Sequence, residues 1–344
     1  MAKWQFSTVM TWLRSSLGSL KRPVGVIVVV LLLALRLLGW YWSSEPAAFD
    51  VTDTAAVTAQ AAGRDVVVGY TTVMTLHQVA STMLDKQGGF ITNDMMPPGV
   101  WLDNIASWEM GVLIQVRDLA RAMRKDFSRS QSQSTEDEDL ASAEPKFHFD
   151  NSSWMFPASE SEYRDALGFL AQYGDRLSDP LQPRAQFYAR ADNLNAWLSD
   201  VETRLGSLSQ QLSASVGQVR VNTNLAGDAG ATQSTGQANQ EKIRTPWMHI
   251  DDVFYEARGT AWALSHFLKA VEVDFAGVLE KKNATASLQQ IIRELDETQL
   301  AVWSPIILNG TGFGLMANHS LVMANYISRA NAAINDMRQL LEKG

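Results

Sequence analysis

Histidines and carboxylates at helical spacing are the first places to look for chemistry in this chain of 344 residues. His249, Asp251, Asp252 and Glu256 fall in one stretch, with His266 further along. On a helix His249 and Asp252 share a face at i, i+3, and Asp252 and Glu256 share one at i, i+4, so a His/carboxylate metal site is geometrically available. Acidic residues in a first helical turn also answer the helix dipole, which is the plainer explanation. Gly310, Gly312 and Gly314 follow a short apolar run and precede a helix, superficially like a dinucleotide turn. That fingerprint needs glycine where Leu315 stands, and an alternation of strands and helices that this chain lacks. Asn318, His319 and Ser320 have no G-x-S-x-G elbow, S-x-x-K or H-E-x-x-H around them, so capping or surface roles are expected. The run Glu136 to Asp139 gathers carboxylates without the spaced ligands and central glycine of a calcium loop, and reads as solvated charge. No residue is assigned to catalysis or to a cofactor, none of either is expected, and His249, Asp252 and Glu256 stand as the candidates for a metal.

Composition narrows the classes further. The chain has no cysteine, which removes disulfides, thiolate nucleophiles and Cys-ligated metal together. Setting aside Lys3, Arg14, Lys21, Arg22 and Arg36 leaves 24 basic against 37 acidic residues in the remainder, a balance of −13. Such a surface has no general basic field for nucleic acid.

The element that positions everything else is Val24 to Trp42, VGVIVVVLLLALRLLGWYW. About 18 consecutive apolar residues suffice for a helix to cross the hydrocarbon core of a bilayer, so residues 24–42 read as a transmembrane helix. Trp40, Tyr41 and Trp42 close it as aromatic anchors at the far interface. Four basic and no acidic residues precede it, which predicts a cytoplasmic N-terminus and a C-terminal part outside the cytoplasm. Arg36 either snorkels to the interface with its methylenes in lipid or meets a polar group on a partner's helix. The long apolar core, followed by bulky and charged residues in place of a small-residue cleavage site, favours an uncleaved signal anchor. Ahead of it, residues 1–23 form a cytoplasmic segment whose positions 4–20 are amphipathic, suited to the leaflet surface.

After the span, residues 43–64 are small and polar and read as a linker. Apolar stripes at helical spacing then predict helices over about 65–86, 100–127, 159–177, 184–215, 250–282, 284–303 and 315–342. Ser159 with Glu162 has capping-box spacing. Residues 147–157 suggest a short strand or aromatic plug. The stretch 128–145 is polar and repetitive and reads as an exposed loop, and 216–245 as a flexible excursion. The expected fold class is all-α: one N-terminal transmembrane helix, then a multi-helix bundle over 65–344 with long polar loops and a division into subdomains near 128–158.

Three long strings, GGFITNDMMPPGVWLDNIASWEMGVLIQVRDLARAMR, FSRSQSQSTEDEDLASAEP and NGTGFGLMANHSLVMANYISRANAAI, resemble a family of mainly gammaproteobacterial inner-membrane proteins catalogued only as a domain of unknown function. The resemblance implies that the outer compartment is the periplasm. The expectation is thus a non-catalytic, single-pass inner-membrane protein with a periplasmic interaction or scaffolding domain. Its partners are the lipid bilayer and an envelope protein or a second copy of itself. The alternative is a periplasmic enzyme or ligand-binding domain acting on envelope material, with a pocket near His249, Glu256 and His319.

Overall fold

A computed structural model describes residues 25–130, 135–179, 181, 185–221, 240–304, 306–311 and 314–343. The amphipathic segment expected over residues 4–20 and most of the excursion expected over 216–245 lie outside the described residues. α1 (Gly25–Trp42) is long and apolar enough to cross a membrane, and its apolar side chains are exposed along nearly its whole length.

The all-α expectation holds among the described residues, where a two-stranded hairpin is the only sheet, β1 (Gln218–Val221) pairing antiparallel with β2 (Gln240–Ile243). The helices after α1 are α2 (Val51–Ala61), α3 (Tyr70–Asp85), α4 (Asp103–Ala122), α5 (Glu138–Phe147), α6 (Ser159–Leu177), α7 (Ala191–Ser213), α8 (Ile250–Asp274), α9 (Ala276–Lys281), α10 (Thr285–Glu297) and α11 (His319–Glu342).

α4 and α8 form the axis of the bundle. They run parallel, since Ser107 meets Asp252, Gly111 meets Glu256 and Thr260, and Phe127 meets Phe275. A Cβ on Gly111 would collide with the carbonyl of Glu256, and one on Gly259 with the carbonyl of Trp108. Glycine at both positions lets the two backbones touch, and Trp108 and Trp262 pack beside the crossing with ring centroids 5.2 Å apart. The other long helices lie around this pair. α6 runs against α3, with Arg164 on Asp85 and Gly174 on Met74. α10 returns along α8 through Gln289 to Glu272 and Lys269 to Asp296. α7 and α11 are antiparallel, joined by Asn195 to Glu342 and Asn335 to Glu202.

One apolar core runs from Ala55 to Leu341, and Leu140, Ala143 and Phe147 bury in it, so residues 128–158 do not separate two cores. Charged groups are buried where they fasten chain turns. Asp274 accepts from the backbone N–H groups of Gly69 and Thr72 at 2.8 and 2.7 Å and so caps the start of α3 from the end of α8. Glu109, fully buried, pairs with Lys86 at 2.5 Å and accepts from the N–H groups of Ile91 and Thr92, fixing the turn between α3 and α4. Arg117 donates to the carbonyls of Phe147 and Phe149, capping the end of α5 with a cation.

Five local expectations need correction. The 43–64 linker is an ordered strap: Asp50 caps α2, which buries Val51, Ala55 and Ala59. Alanines four apart pack closely without the large side chains that mark a stripe in sequence. The acidic run is not solvated, because Arg124 holds Glu136 at 2.8 Å and Arg176 holds Asp137 and Asp139 at 2.7 and 2.5 Å. The hydrogen bond from Arg124 also draws the Glu136 carboxyl below its ordinary pKa. Asp137 then caps α5, a helix where a loop was expected over 128–145. Residues 147–157 form no strand: Phe147 ends α5 in the core while Trp154, Met155 and Phe156 are exposed. Ser159 is the first residue of α6 rather than its cap, and its hydroxyl donates to the Asp150 and Ser153 carbonyls.

Candidate functional site

Of the candidate metal ligands, the structure brings two together. His249 Nδ1 lies 2.8 Å from Asp252 Oδ2 at the start of α8, where the histidine is exposed. Glu256, one turn on, is half-buried on the side of Arg204. Burial pushes its carboxyl above the ordinary range, with Arg204 opposing and Asp252 adding. His266 lies further along α8 in the core, and His319 sits against Phe254 at 6.3 Å. Among the described residues no three His, Asp or Glu side chains converge in a way that could hold a metal ion.

The residues around the glycine run make a chain corner. Asn318 accepts from the N–H of Leu321 and so caps α11, while its amide donates to Asn309 Oδ1 and the Gly310 carbonyl. A Cβ on Gly310 would collide with the carbonyl of Met316. His319 Nδ1 accepts from the Leu308 N–H at 3.1 Å, so the neutral ring carries its proton on Nε2. Gly312 lies outside the described residues.

Sequence reasoning missed the joint between α1 and the bundle. Gly39 lies so close to the 90s loop that a Cβ there would sit 3.3 Å from Pro98 and 3.5 Å from Leu102. Trp42 turns inward, where a Cβ on Gly88 would stand 2.7 Å from its indole, while Trp40 and Tyr41 stay exposed. Successive helical residues point about 100° apart, so the three rings cannot share one face. The Ser43 hydroxyl and N–H both donate to the Gly39 carbonyl, closing α1.

The strap that follows is bound at two points. Glu45 takes three hydrogen bonds of 2.6 to 3.0 Å from Arg258, whose remaining donors reach the carbonyls of Thr298 and Leu300 beyond α10. A buried cation at a helix C-terminus satisfies its last carbonyls and its dipole together. Phe49 stacks on His266 with ring centroids 4.2 Å apart, and its N–H donates to His266 Nε2 at 3.1 Å. The other ring nitrogen is 2.7 Å from the Trp262 carbonyl, so Nδ1 carries the proton and the imidazole is neutral. Burial lowers its pKa to about 4, partly opposed by the Trp262 carbonyl. One signal was present in sequence: Phe254, Arg258, Trp262 and His266 recur every four residues, so a cation and a histidine lie on the apolar stripe of α8 and each requires a partner.

Beside this joint a cleft of about 230 Å³ opens between α8, α10 and α11, lined chiefly by Phe254, Trp303, Val322, Met323 and Tyr326. Arg258 and His319 are its principal polar groups, together with Glu297 and Thr298. Arg258 is committed to Glu45 and to backbone carbonyls, and His319 Nδ1 to Leu308, so neither offers a free base. The cleft suits an apolar ligand better than a reaction.

A family model described as "Uncharacterized protein conserved in bacteria (DUF2333)" matches residues 15–344. No curated protein and no solved structure matches the chain.

Proposed function

The chain belongs to this bacterial family, and we propose that it is a single-pass inner-membrane protein whose helical bundle stands in the periplasm as an interaction or scaffolding module of the cell envelope. The observation that carries the reading is the joint. α1 leaves the bundle as an exposed apolar rod, yet its last turn and the strap behind it are bound by Trp42, Glu45 and Phe49. A protein that needed its domain to roam would keep a free tether there. Fixing a bundle to its anchor instead presents constant faces at a constant height, which suits a docking platform. The basic N-terminal flank, with no acidic residue in it, agrees with a cytoplasmic start and hence a periplasmic end.

Fusions test the topology. Alkaline phosphatase at the C-terminus should be active, green fluorescent protein at the same place dark, and the protein should resist carbonate extraction. The reverse pattern refutes the reading. A second reading, a periplasmic ligand-binding domain or enzyme acting on envelope material, is favoured by the apolar cleft. Under the scaffolding reading Asp252→Asn, Glu256→Gln and His319→Gln each still complement a deletion strain. Loss of complementation at normal protein level favours the second.

A further inference from the structure

The chain ends packed around α1 form one face of the bundle. α4 and α8 both begin there, as the contact of Ser107 with Asp252 requires. The 90s loop is pressed on α1 at Gly39, and Asn93 ties it to the next loop through the Ser153 carbonyl at 2.8 Å and Glu160 at 2.7 Å. α10 ends there beside Arg258. Outside α1, most of the exposed Trp, Phe and Met side chains among the described residues lie on these chain ends, including Met96, Trp101, Phe156, Trp247 and Trp303. Phe156 is 93%, Trp247 75% and Trp303 96% exposed. The other large exposed apolar residues outside α1 are Leu300, Ile306, Leu315 and Met316 between α10 and α11, Leu181, and scattered valines.

We propose that this rim of aromatic and methionine side chains is a second membrane contact, dipping into the headgroup and acyl boundary of the same bilayer that α1 crosses. The proposal rests on the anchor reading above and goes beyond it. Four arguments name lipid as the occupant. The rim is continuous with the end of α1, so a spanning α1 brings it to the bilayer surface. Its members come from four separate segments whose loops and helix starts are tied by part-buried hydrogen bonds, so they act as one platform. Trp and Met beside Phe is the composition of an interfacial surface, with indoles that keep their N–H groups wet. The carboxylates Asp94, Asp103 and Asp251 outnumber the one cation near them, Arg244, so attraction comes chiefly from buried apolar area and not from anionic headgroups. Burial already pushes the carboxyls of Asp94 and Asp251 upward, easing their approach to lipid.

Because the chain has no cysteine, single cysteines report position without background. Full-length protein carrying Met96→Cys, Phe156→Cys or Trp247→Cys is labelled with an environment-sensitive fluorophore and placed in phosphatidylcholine nanodiscs containing nitroxide lipids. Leu32→Cys in α1 and Leu181→Cys at the opposite end of the bundle serve as references. The rim labels should be blue-shifted and quenched several-fold more than the label at 181, with no loss in high salt. If they match 181 while 32 is quenched, the anchor stands and the rim proposal fails. If 32 is also unquenched, the anchor reading fails first. Shielding that appears only in native envelopes, and not in nanodiscs that hold no other envelope protein, assigns the rim to a protein partner and overturns the proposal. Each position faces solvent, so circular dichroism should match the parent; Trp303→Cys replaces any variant that does not.

Discussion

Acid should loosen the strap from the bundle through His266. The neutral ring donates from Nδ1 to the Trp262 carbonyl and accepts the Phe49 N–H at Nε2. Protonation puts a second N–H against that donor, so the charged form loses the contact as well as its hydration. Burial holds the pKa at about 4 against an ordinary 6.5, with Lys269 adding to the fall and Asp296 opposing it. The unfolded chain therefore takes up the proton first as pH drops. The contribution is flat above pH 6.5, erodes between 6.5 and about 4, and is level below that. At roughly 1.4 kcal/mol per pH unit the whole window is worth about 3 kcal/mol, and about 2 kcal/mol of it is gone by pH 5. Urea unfolding of the detergent-solubilised chain at pH 7 and pH 5, wild type against His266→Phe, isolates this residue, because the other titrating groups are shared. The variant should be less stable at pH 7 by about 1–3 kcal/mol, since Phe49 loses its acceptor, and should lose less on acidification. An identical pH dependence in the two proteins would refute the argument.

Two further substitutions test the packing. Gly259→Ala must push α4 from α8 at the Trp108 carbonyl and should cost at least ~1–3 kcal/mol in denaturant midpoint. Gly168→Ala, with nothing near its new methyl on exposed α6, should instead gain up to about 1 kcal/mol. Lys86→Met strands the buried Glu109 carboxylate, at about 3–5 kcal/mol in the same assay. Adding Glu109→Gln should recover much of that loss, and no recovery would mean that the pair is not the seat of the effect.

What was legible in the sequence follows from distance along the chain. Stripes such as Leu194, Leu198, Val201, Leu205 and Leu208 repeat within one helix, so α7 and its long neighbours are readable from spacing alone. The His249 and Asp252 pair was readable for the same reason, being three residues apart across the start of α8. Glu45 with Arg258 and Phe49 with His266 are separated by 213 and 217 residues, and no local pattern links such partners. α2 was hidden because alanine packs without announcing itself, and the acidic run because its arginines stand just past the end of α4 and on α6. Charge density shows in composition; its neutralisation is tertiary.

The bound strap limits what the bundle can reach. As a free coil, the 22 residues from Ser43 to Arg64 would let it wander about 25 Å from the end of α1, at ~5–6 Å times the square root of the residue number. Bound through Glu45, Phe49 and α2, that freedom is gone, and the long axis of the bundle replaces it. α8, 25 residues at ~1.5 Å each, spans about 37 Å. With α1 in a bilayer and the proposed rim on its surface, the end near Tyr70 and Asp274 would stand up to about that far above the membrane. Under the proposed anchoring, a partner would meet this protein either along the lipid surface or up to about 37 Å above it. Loosening the strap should blur that choice and also weaken the core, because its two grips, Arg258 and His266, are buried on α8 and Phe49 packs on Trp262 beside the crossing of Gly111 and Gly259.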